Sequence, residues 1–487
     1  MSSLSSALDH ALSGLMTTAS RSAIASRNVT QAQNEDYTRK SASVLSLPGS
    51  GATLSAVRRS IDQQLLEKAI EASSISAARQ ITVDAFNRLS TAIGEAGDGS
   101  SLAGTLATLQ GSLKDYDSDP SNDAFGITVA SAAAAVANRL SAIAAEISAV
   151  RNDADQRMAD SVGHINALLD QFKVVNEAIV RGNGSSSDLA DNLDQRDSIL
   201  KLLSAEIGIR TSVGSSNDMS IFTDSGVVLF QGSARVVRMQ DAYGPRTGGS
   251  VLVDGVPITG PGAVMQVHEG RLGALAGIRD SFAPALGRQM DAIASGLVQK
   301  FAESPNDPSL GLPAAPGLFV GTVPPFVPTE GEIIPGLSLR FGINPAVDSD
   351  TGGNPHLIRD GGLAGSAYVY NTSGHASFQD RLHALSAALE TLGQIDPSLG
   401  FGSEGSIRSI AGQSAGWTES RRQSAQSDAD VAGATASRAA ESLSRIAGVS
   451  IDEEMASLLD LEKTYQASAK IITVIDSMLA NLLDVVG

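Results

Sequence analysis

The chain has 487 residues, a formal net charge of −18, 48 glycines and no cysteine. That length suits two to four domains with sizeable cores. The acidity argues against nucleic acid as a partner, because neutralising phosphates needs a basic face. Without cysteine, disulfides, thiol nucleophiles and zinc–thiolate sites are excluded.

The N-terminal stretch repeats in sevens. Met1, Leu8, Leu15, Ser22 and Val29 hold one position; Leu4, Ala11, Thr18 and Ala25 hold another, three residues on. This predicts a helix with a thin seam of small residues, open to close approach by a second helix. The segment lacks the basic region and apolar run of a signal peptide, so the chain is expected to be cytosolic or to be exported without a cleaved signal. A turn at 34–39 leads into an extended segment, which Pro48-Gly49-Ser50-Gly51 breaks.

Helical periodicity returns over 58–93, on Ile61, Leu65, Ala69, Ala72, Ile75, Phe86, Leu89 and Ile93. A loop at 94–100, a short helix at 102–113 and a turn at 117–121 follow. The longest periodic run is 121–181, carried by Val136, Leu140, Ile143, Ile147, Val150, Met158, Ile165, Phe172 and Ile179. As one helix it would be a rod roughly 90 Å long. Residues 182–187 end it, and a helix over 188–207 follows. No apolar run is expected to reach the roughly 20 residues of a membrane span.

From 207 to 265 the pattern is β, with strands expected at 209–213, 219–222, 227–230 and 236–239. A helix is expected over 269–302, a Pro- and Gly-rich β or irregular segment over 305–360, and a helix over 377–392. The glycine-rich loop 398–405 precedes an alanine-rich helix over 407–447.

The last stretch, 451–486, carries the strongest heptads. Ile451, Leu458, Tyr465, Ile472, Leu479 and Val486 hold one position; Glu454, Leu461, Ser468, Ile475 and Leu482 hold the other. Such a stripe needs a partner to bury it. The pattern leaves two arrangements open: the termini pair as a coiled coil, or each helix docks separately on one core. The fold class expected is α+β, mainly α, with discontinuous nested domains. Residues 1–45 with 448–487 form a terminal coiled coil. Residues 50–207 with 269–303 and 377–447 form a rod-like bundle of long helices. Residues 208–268 and 304–376 form β-rich inserted modules.

Several motifs suggest chemistry and are set aside. Gly400-Phe401-Gly402-Ser403-Glu404-Gly405 matches the dinucleotide fingerprint, but its lead-in reads as a turn and not a strand. Gly412-Gln413-Ser414-Ala415-Gly416 matches a nucleophile elbow, yet the last histidine, His383, precedes Ser414, against the order such hydrolases need. No histidine pair has zincin spacing. Glu453 and Glu454 read as first-turn acids that complement the helix dipole. Asn28, Asn183 and Asn371 fit the glycosylation acceptor pattern, which carries little weight in such a chain. No catalytic residue, metal or cofactor is expected.

The two ends resemble a known superfamily. Residues 448–455, Leu458-Leu459 and Tyr465-Gln466-Ala467-Ser468-Ala469-Lys470-Ile471 are similar to the C-terminal signature of bacterial flagellar axial proteins. Ala25-Ser26-Arg27-Asn28-Val29-Thr30 through Tyr37-Thr38-Arg39 is similar to their N-terminal signature, with Glu35-Asp36 where the family has Pro-Gly. Within the chain, Leu193-Asp194-Gln195-Arg196-Asp197-Ser198-Ile199-Leu200 and Gly270-Arg271-Leu272-Gly273-Ala274-Leu275 with Ile278-Arg279-Asp280 resemble the hook-associated protein 1 family. Phe301-Ala302-Glu303-Ser304-Pro305 departs from that pattern.

The resemblance implies a structural, non-enzymatic protein at the junction of hook and filament. It would pass briefly through the cytoplasm, leave by type III export bound at its C-terminal helix by a cytosolic chaperone, and join the extracellular flagellum. There it would self-assemble into a ring between the hook protein and the second junction protein on the flagellin side, with neither nucleic-acid binding nor membrane insertion. The assembly interface expected is Leu4, Leu8, Leu15, Val29, Ile451, Leu458, Leu461, Tyr465, Ile472, Ile475, Leu479 and Leu482. The alternatives are another axial protein, hook or second junction protein, and, more remotely, a secreted hydrolase carried on a flagellar scaffold.

Overall fold

The N-terminal seam of small residues forms one helix, α1 (Ser2–Gln31). The computed structural model describes residues 2–47, 51–95, 97–182, 185–240, 248–321 and 325–486, side chains of 2, 3, 47, 350 and 482–486 excepted. After α1, Asn34 closes a tight turn: its carbonyl accepts from Tyr37 N–H at 3.0 Å and its side chain from Asp36 N–H at 3.1 Å. Neither Glu35 nor Asp36 takes positive φ, so this turn is not the glycine-dependent kind.

Strands β1 (Lys40–Leu47) and β2 (Gly51–Arg59) pair antiparallel, from Lys40 opposite Arg59 to Leu47 opposite Gly51. The break expected at 48–50 lies outside the described residues. The hairpin corrects the expected helix start at 58: β2 runs through Arg59, and α2 (Gln63–Ile93) begins behind Asp62, whose carboxylate accepts from Gln64 and Leu65 N–H.

Helix α3 (Leu102–Ser118) is capped by Ser101. Helix α4 (Asp123–Arg181) is unbroken over 59 residues, about 90 Å at 1.5 Å per residue. Asn122 caps its start, and Gly182 ends it in the left-handed conformation. Helix α5 (Ser186–Glu206) opens on a reciprocal capping box between Ser185 and Asp188. One window of α4 is long and apolar enough to cross a membrane by length and composition, contrary to expectation. Alanines supply much of that hydropathy, and half of the window is buried inside the chain.

The β material forms two three-stranded antiparallel meanders. One comprises β3 (Ile209–Val213), β4 (Met219–Thr223) and β5 (Val228–Phe230). The other comprises β6 (Val237–Met239), β7 (Val251–Val253) and β8 (Val256–Pro257). Phe230 meets Phe172 of α4 edge-on at 4.9 Å, seating the first meander on the rod.

The helix expected over 269–302 is divided. α6 (Gly270–Gly277) passes through a π turn at Ile278–Phe282 into α7 (Ala283–Lys300). Pro284 has no N–H for the carbonyl one turn back, and the wider turn accommodates it. Residues 304–376 are carried mostly by turns. Their paired strands β9 (Phe319–Val320) and β10 (Gly342–Ile343) have two residues each, and α8 (Leu357–Asp360) is one turn. Glu303, in the segment that departs from the family pattern, is the anchor: fully buried, it pairs with Arg381 at 2.9 Å and accepts from Ala364 N–H at 2.9 Å.

Helix α9 (Asp380–Ala388) is followed by β11 (Gly393–Gln394) and β12 (Glu404–Gly405), then α10 (Ile407–Ala447) and α11 (Ile451–Val486). α10 runs antiparallel along α2: Ser90 bonds Glu419 at one end, and Ser60 bonds the carbonyl of Ile446 at the other. The contiguous apolar core links α2 to α7, the meanders, α9 and α10. Among the described residues it includes none from α1, the hairpin or α11.

The motifs set aside fall in unpromising places. Ser414 is fully buried inside α10. The fingerprint glycines follow a 3-10 turn at Pro397–Leu399. Asn28 and Asn371 are buried, with their amides donating to Lys40 O and to Asp360 and His375 O. Asn183 lies outside the described residues.

Candidate functional site

Helices α1 and α11 pack against each other antiparallel. A Cβ at Gly14 would sit 3.8 Å from Ser468 Oγ, while Ser22 borders Met455, Leu458 and Tyr465 further toward the start of α11. Of the two arrangements left open by the heptads, the termini pair.

The buried line of α11 is Glu454, Leu461, Ser468 and Ile475. Leu461 and Ile475 are buried, and Ser468 half-buried opposite Gly14. On α1 it is met by Ala11, Thr18 and Ala25. Small side chains on one helix thus accept large ones on the other at close range. The other heptad position flanks this line. Leu4, Leu8, Leu15, Val29, Leu458, Ile472 and Leu479 are half-buried. Ile451 and Tyr465 are 46% and 44% exposed. The side chain of Leu482 lies outside the described residues.

Glu454 lies in the first turn of α11, as expected, and does more there than complement the helix dipole. It is 3% exposed and accepts from Arg39 Nε at 2.7 Å. Arg39 N–H also donates to the carbonyl of Ala447 at 2.7 Å, so the end of the N-terminal segment is stitched to the α10–α11 corner. The polar residue in the apolar heptad position is a join.

Exposed apolar surface on both flanks of this seam went unread in the heptads: at 100° per residue Met455 and Leu459 fall on one side of the buried line, and Ile471, Val474 and Met478 on the other. On α11, Met455, Leu459, Ile471, Val474 and Met478 are each about half exposed; on α1, Leu12 and Met16 are too. Val44, Leu45 and Leu54 add exposed apolar surface on the hairpin. The signal was present: Leu458-Leu459 and Ile471-Ile472 each place adjacent apolar residues about 100° apart around a helix, on two faces at once.

The hairpin base meets α5 through charge. Asp194 accepts from Thr38 Oγ at 2.5 Å, from Arg59 at 2.8 Å and from Lys40 Nζ at 3.1 Å. Asp197 accepts from the same Arg59 nitrogen at 2.8 Å, and Asp191 from Lys40 and Arg27. One turn on, Lys201 and Ser198 hold Asp36 at 2.9 and 2.7 Å. Burial works to raise the Asp36 carboxyl, but these two bonds outweigh it and hold it below the usual range. Burial pushes the Asp197 carboxyl up, against the pull of Arg59. Tyr37 donates to Asn28 Oδ1 at 2.8 Å; burial and the charges of Asp191 and Asp194 raise its phenol to about 12. None of these acids was singled out as a site residue, because the helix was read for its apolar period. Their own spacing of three, with Lys201 beyond, was the available sign.

Among the described residues, no three His, Asp or Glu side chains gather as a metal site. What these residues form is surfaces and joins.

Comparison with known proteins gives two family matches. Residues 86–306 match the Flagellar hook-associated protein FlgK helical domain, and residues 444–485 match the Flagellar basal body rod FlgEFG protein C-terminal domain. Flagellar hook-associated protein 1 from Salmonella typhimurium and from Salmonella typhi are each 24% identical over 241 residues, covering 47% of this chain and 43% of the relative. The chain thus spans less than half the length of the curated relatives it matches. A solved structure, the flagellar hook junction protein FlgK from Burkholderia pseudomallei, is similar at 19% identity and a TM-score of 0.43, over 53% of this chain and 47% of that one. The first match takes in the segments around Asp194 and Arg279, and the second the heptads of α11.

Proposed function

We propose that this chain, which carries a hook-associated helical domain and a flagellar rod-type C-terminal domain, is a structural component of the bacterial flagellum that joins hook to filament. The observation that carries the reading is the exposed apolar surface on both flanks of the α1/α11 seam, left uncovered on a chain whose helical body matches the hook-associated family. Covering the exposed half of one such side chain is worth about 1 kcal/mol. A row of them, repeated around a ring of copies, is enough to drive ordered packing.

In this reading residues 1–45 with 448–487 are the assembling unit. Residues 50–207, 269–303 and 377–447 are the body that spaces it, and 208–268 and 304–376 face outward as inserted modules. The expected interface, Leu4 to Val29 and Ile451 to Leu482, is extended by Met455, Leu459, Ile471, Val474 and Met478. The partners are other copies of the chain, the hook protein below and the second junction protein above. A cytosolic chaperone covers the C-terminal helix before export, and the working place is outside the cell. The C-terminal match is of a rod-protein type, so it fits a rod or hook protein equally. The helical-domain match favours the junction.

The test is electron microscopy of cells whose copy lacks 451–487. Bare hooks with unpolymerised flagellin in the medium are expected. Normal filaments on normal hooks would sink the reading.

A further inference from the structure

The terminal pair is joined to the body in an unusual way. Among the described residues, the extended contacts of α11 are with α1, and those of α1 are with α11 and the two hairpin strands; β2 is the strand that reaches α5. The apolar core of the body stops short of all three terminal elements among the described residues. The connection is therefore largely polar. Arg39 makes it at the α10–α11 corner, and on α5 it is made by the buried hairpin base, with exposed bonds from Arg27 of α1 and from Asp36 beside it.

We propose that Asp194 is a positioning residue, which with Lys40, Arg59 and Asp197 forms a buried ionic clamp that sets the angle between the terminal helix pair and the helical body. This rests on the reading of the pair as an assembly surface, since a ring can close only if each copy presents that surface at one angle. Three features support a clamp. The Lys40 and Arg59 side chains are 2% and 8% exposed and Asp194 and Asp197 10% and 8%, so water does not compete for these bonds. The bonds reach Asp194 from both strands and from Thr38 at once, so they fix direction as well as distance. A slipped register would strand charges away from water, whereas an apolar patch could slide; buried ionic groups serve register better than they serve stability.

The chain has no cysteine, so a spin-label pair can be introduced cleanly. Labels at Ala456→Cys on the outer face of α11 and Lys68→Cys on α2 report the angle by pulsed electron-spin distance measurement on the full chain. The parent should give one narrow distance. Asp194→Asn and Lys40→Met should broaden it at least about twofold while far-UV helicity and the melting of the body stay unchanged. Lys40→Arg, which keeps the charge, should restore the narrow distance. A narrow distance in Asp194→Asn and Lys40→Met would overturn the proposal. So would broadening accompanied by loss of body helicity, which would make Asp194 a general stabiliser. Should Asp194→Asn aggregate, Asp191→Asn, at the half-exposed rim of the clamp, is expected to broaden the distance less, and an unchanged distance there together with an unchanged one in Lys40→Met would be equally fatal. The measurement needs no flagellum. The clamp can therefore fail while the junction role stands. Broadened distances in a chain that still builds normal filaments would remove the clamp from assembly instead.

Discussion

Arg381→Met should free the inserted segment 304–376 from the body. Glu303 is fully buried, and its carboxylate accepts from Arg381 at 2.9 Å and from the Ala364 N–H at 2.9 Å, with the backbone at Gly362 and Leu363 also turned to it. Arg381 also donates to the carbonyl of Ile358 at 3.1 Å and lies over the Tyr370 ring at 4.4 Å. Methionine fills similar volume but leaves a buried carboxylate without its counter-charge, a loss of about 3–5 kcal/mol. Since the loss is local, it should appear as faster hydrogen exchange at Ala364 and its neighbours, by roughly 10²–10³-fold, with α4 unaffected. Burial already holds the Glu303 carboxyl above its ordinary value, opposed by the Ala364 N–H and then by the charge of Arg381. Arg381→Met removes the charge but not the backbone bond, and so shifts the balance further toward the neutral acid. A carboxyl raised in the folded state contributes most below its unfolded pKa and loses that contribution as pH rises through the folded one. The defect should therefore be smaller at pH 5 than at pH 8. Glu303→Gln combined with Arg381→Met should recover part of the loss. Exchange within about fivefold of the parent at both pH values would refute the reasoning.

Leu461→Ala should cost about 2–3 kcal/mol, seen as lost exchange protection in both α1 and α11, because a buried leucine is removed from a close seam. Leu459→Ser, two residues earlier on the same helix and 56% exposed, should stay within about 0.5 kcal/mol in the isolated chain yet weaken assembly on hooks. Ultraviolet titration should find the Tyr37 phenol ionising near pH 12, and Tyr37→Phe should lower the late amplitude by one tyrosine, leaving that of the buried Tyr116, whose phenol burial also raises. With its phenol raised in the fold, Tyr37 gives full support below about pH 10, and that support should fade as pH climbs toward 12. Gly248→Ala should destabilise by about 1–3 kcal/mol in chemical denaturation: its Cβ would lie 2.3 Å from Nε of Arg279, which is fully buried and held by Asp155, Asp280 and the Gly249 carbonyl.

The long helices were legible because their signals are local. α4 advertises an apolar period over its whole length, and α10 is bracketed by Ser406 and Gly448. Half of the hairpin was legible, as the extended segment after the turn at 34–39; β2 was not, because it is exposed or half-buried along its whole length and its period of two carries little hydrophobic contrast. Heptads announced the terminal pair but not which line is buried. The strongly apolar position, Ile451 to Leu479, flanks the contact, while the line with Glu454 and Ser468 fills it. Those two residues read as flaws until Arg39 and Gly14 are seen opposite them. The clamp at Asp194 was hidden for another reason. Its partners are 135 and 156 residues away along the chain, at Arg59 and Thr38, and no local rule reports a charge pair across that span.

The most direct test of the junction role is to find the chain on the flagellum. An epitope in the exposed turn near Leu310, labelled with gold on isolated hook–filament preparations, should give one band at the boundary between hook and filament. Label spread along the filament, or along the length of the hook, would contradict the account.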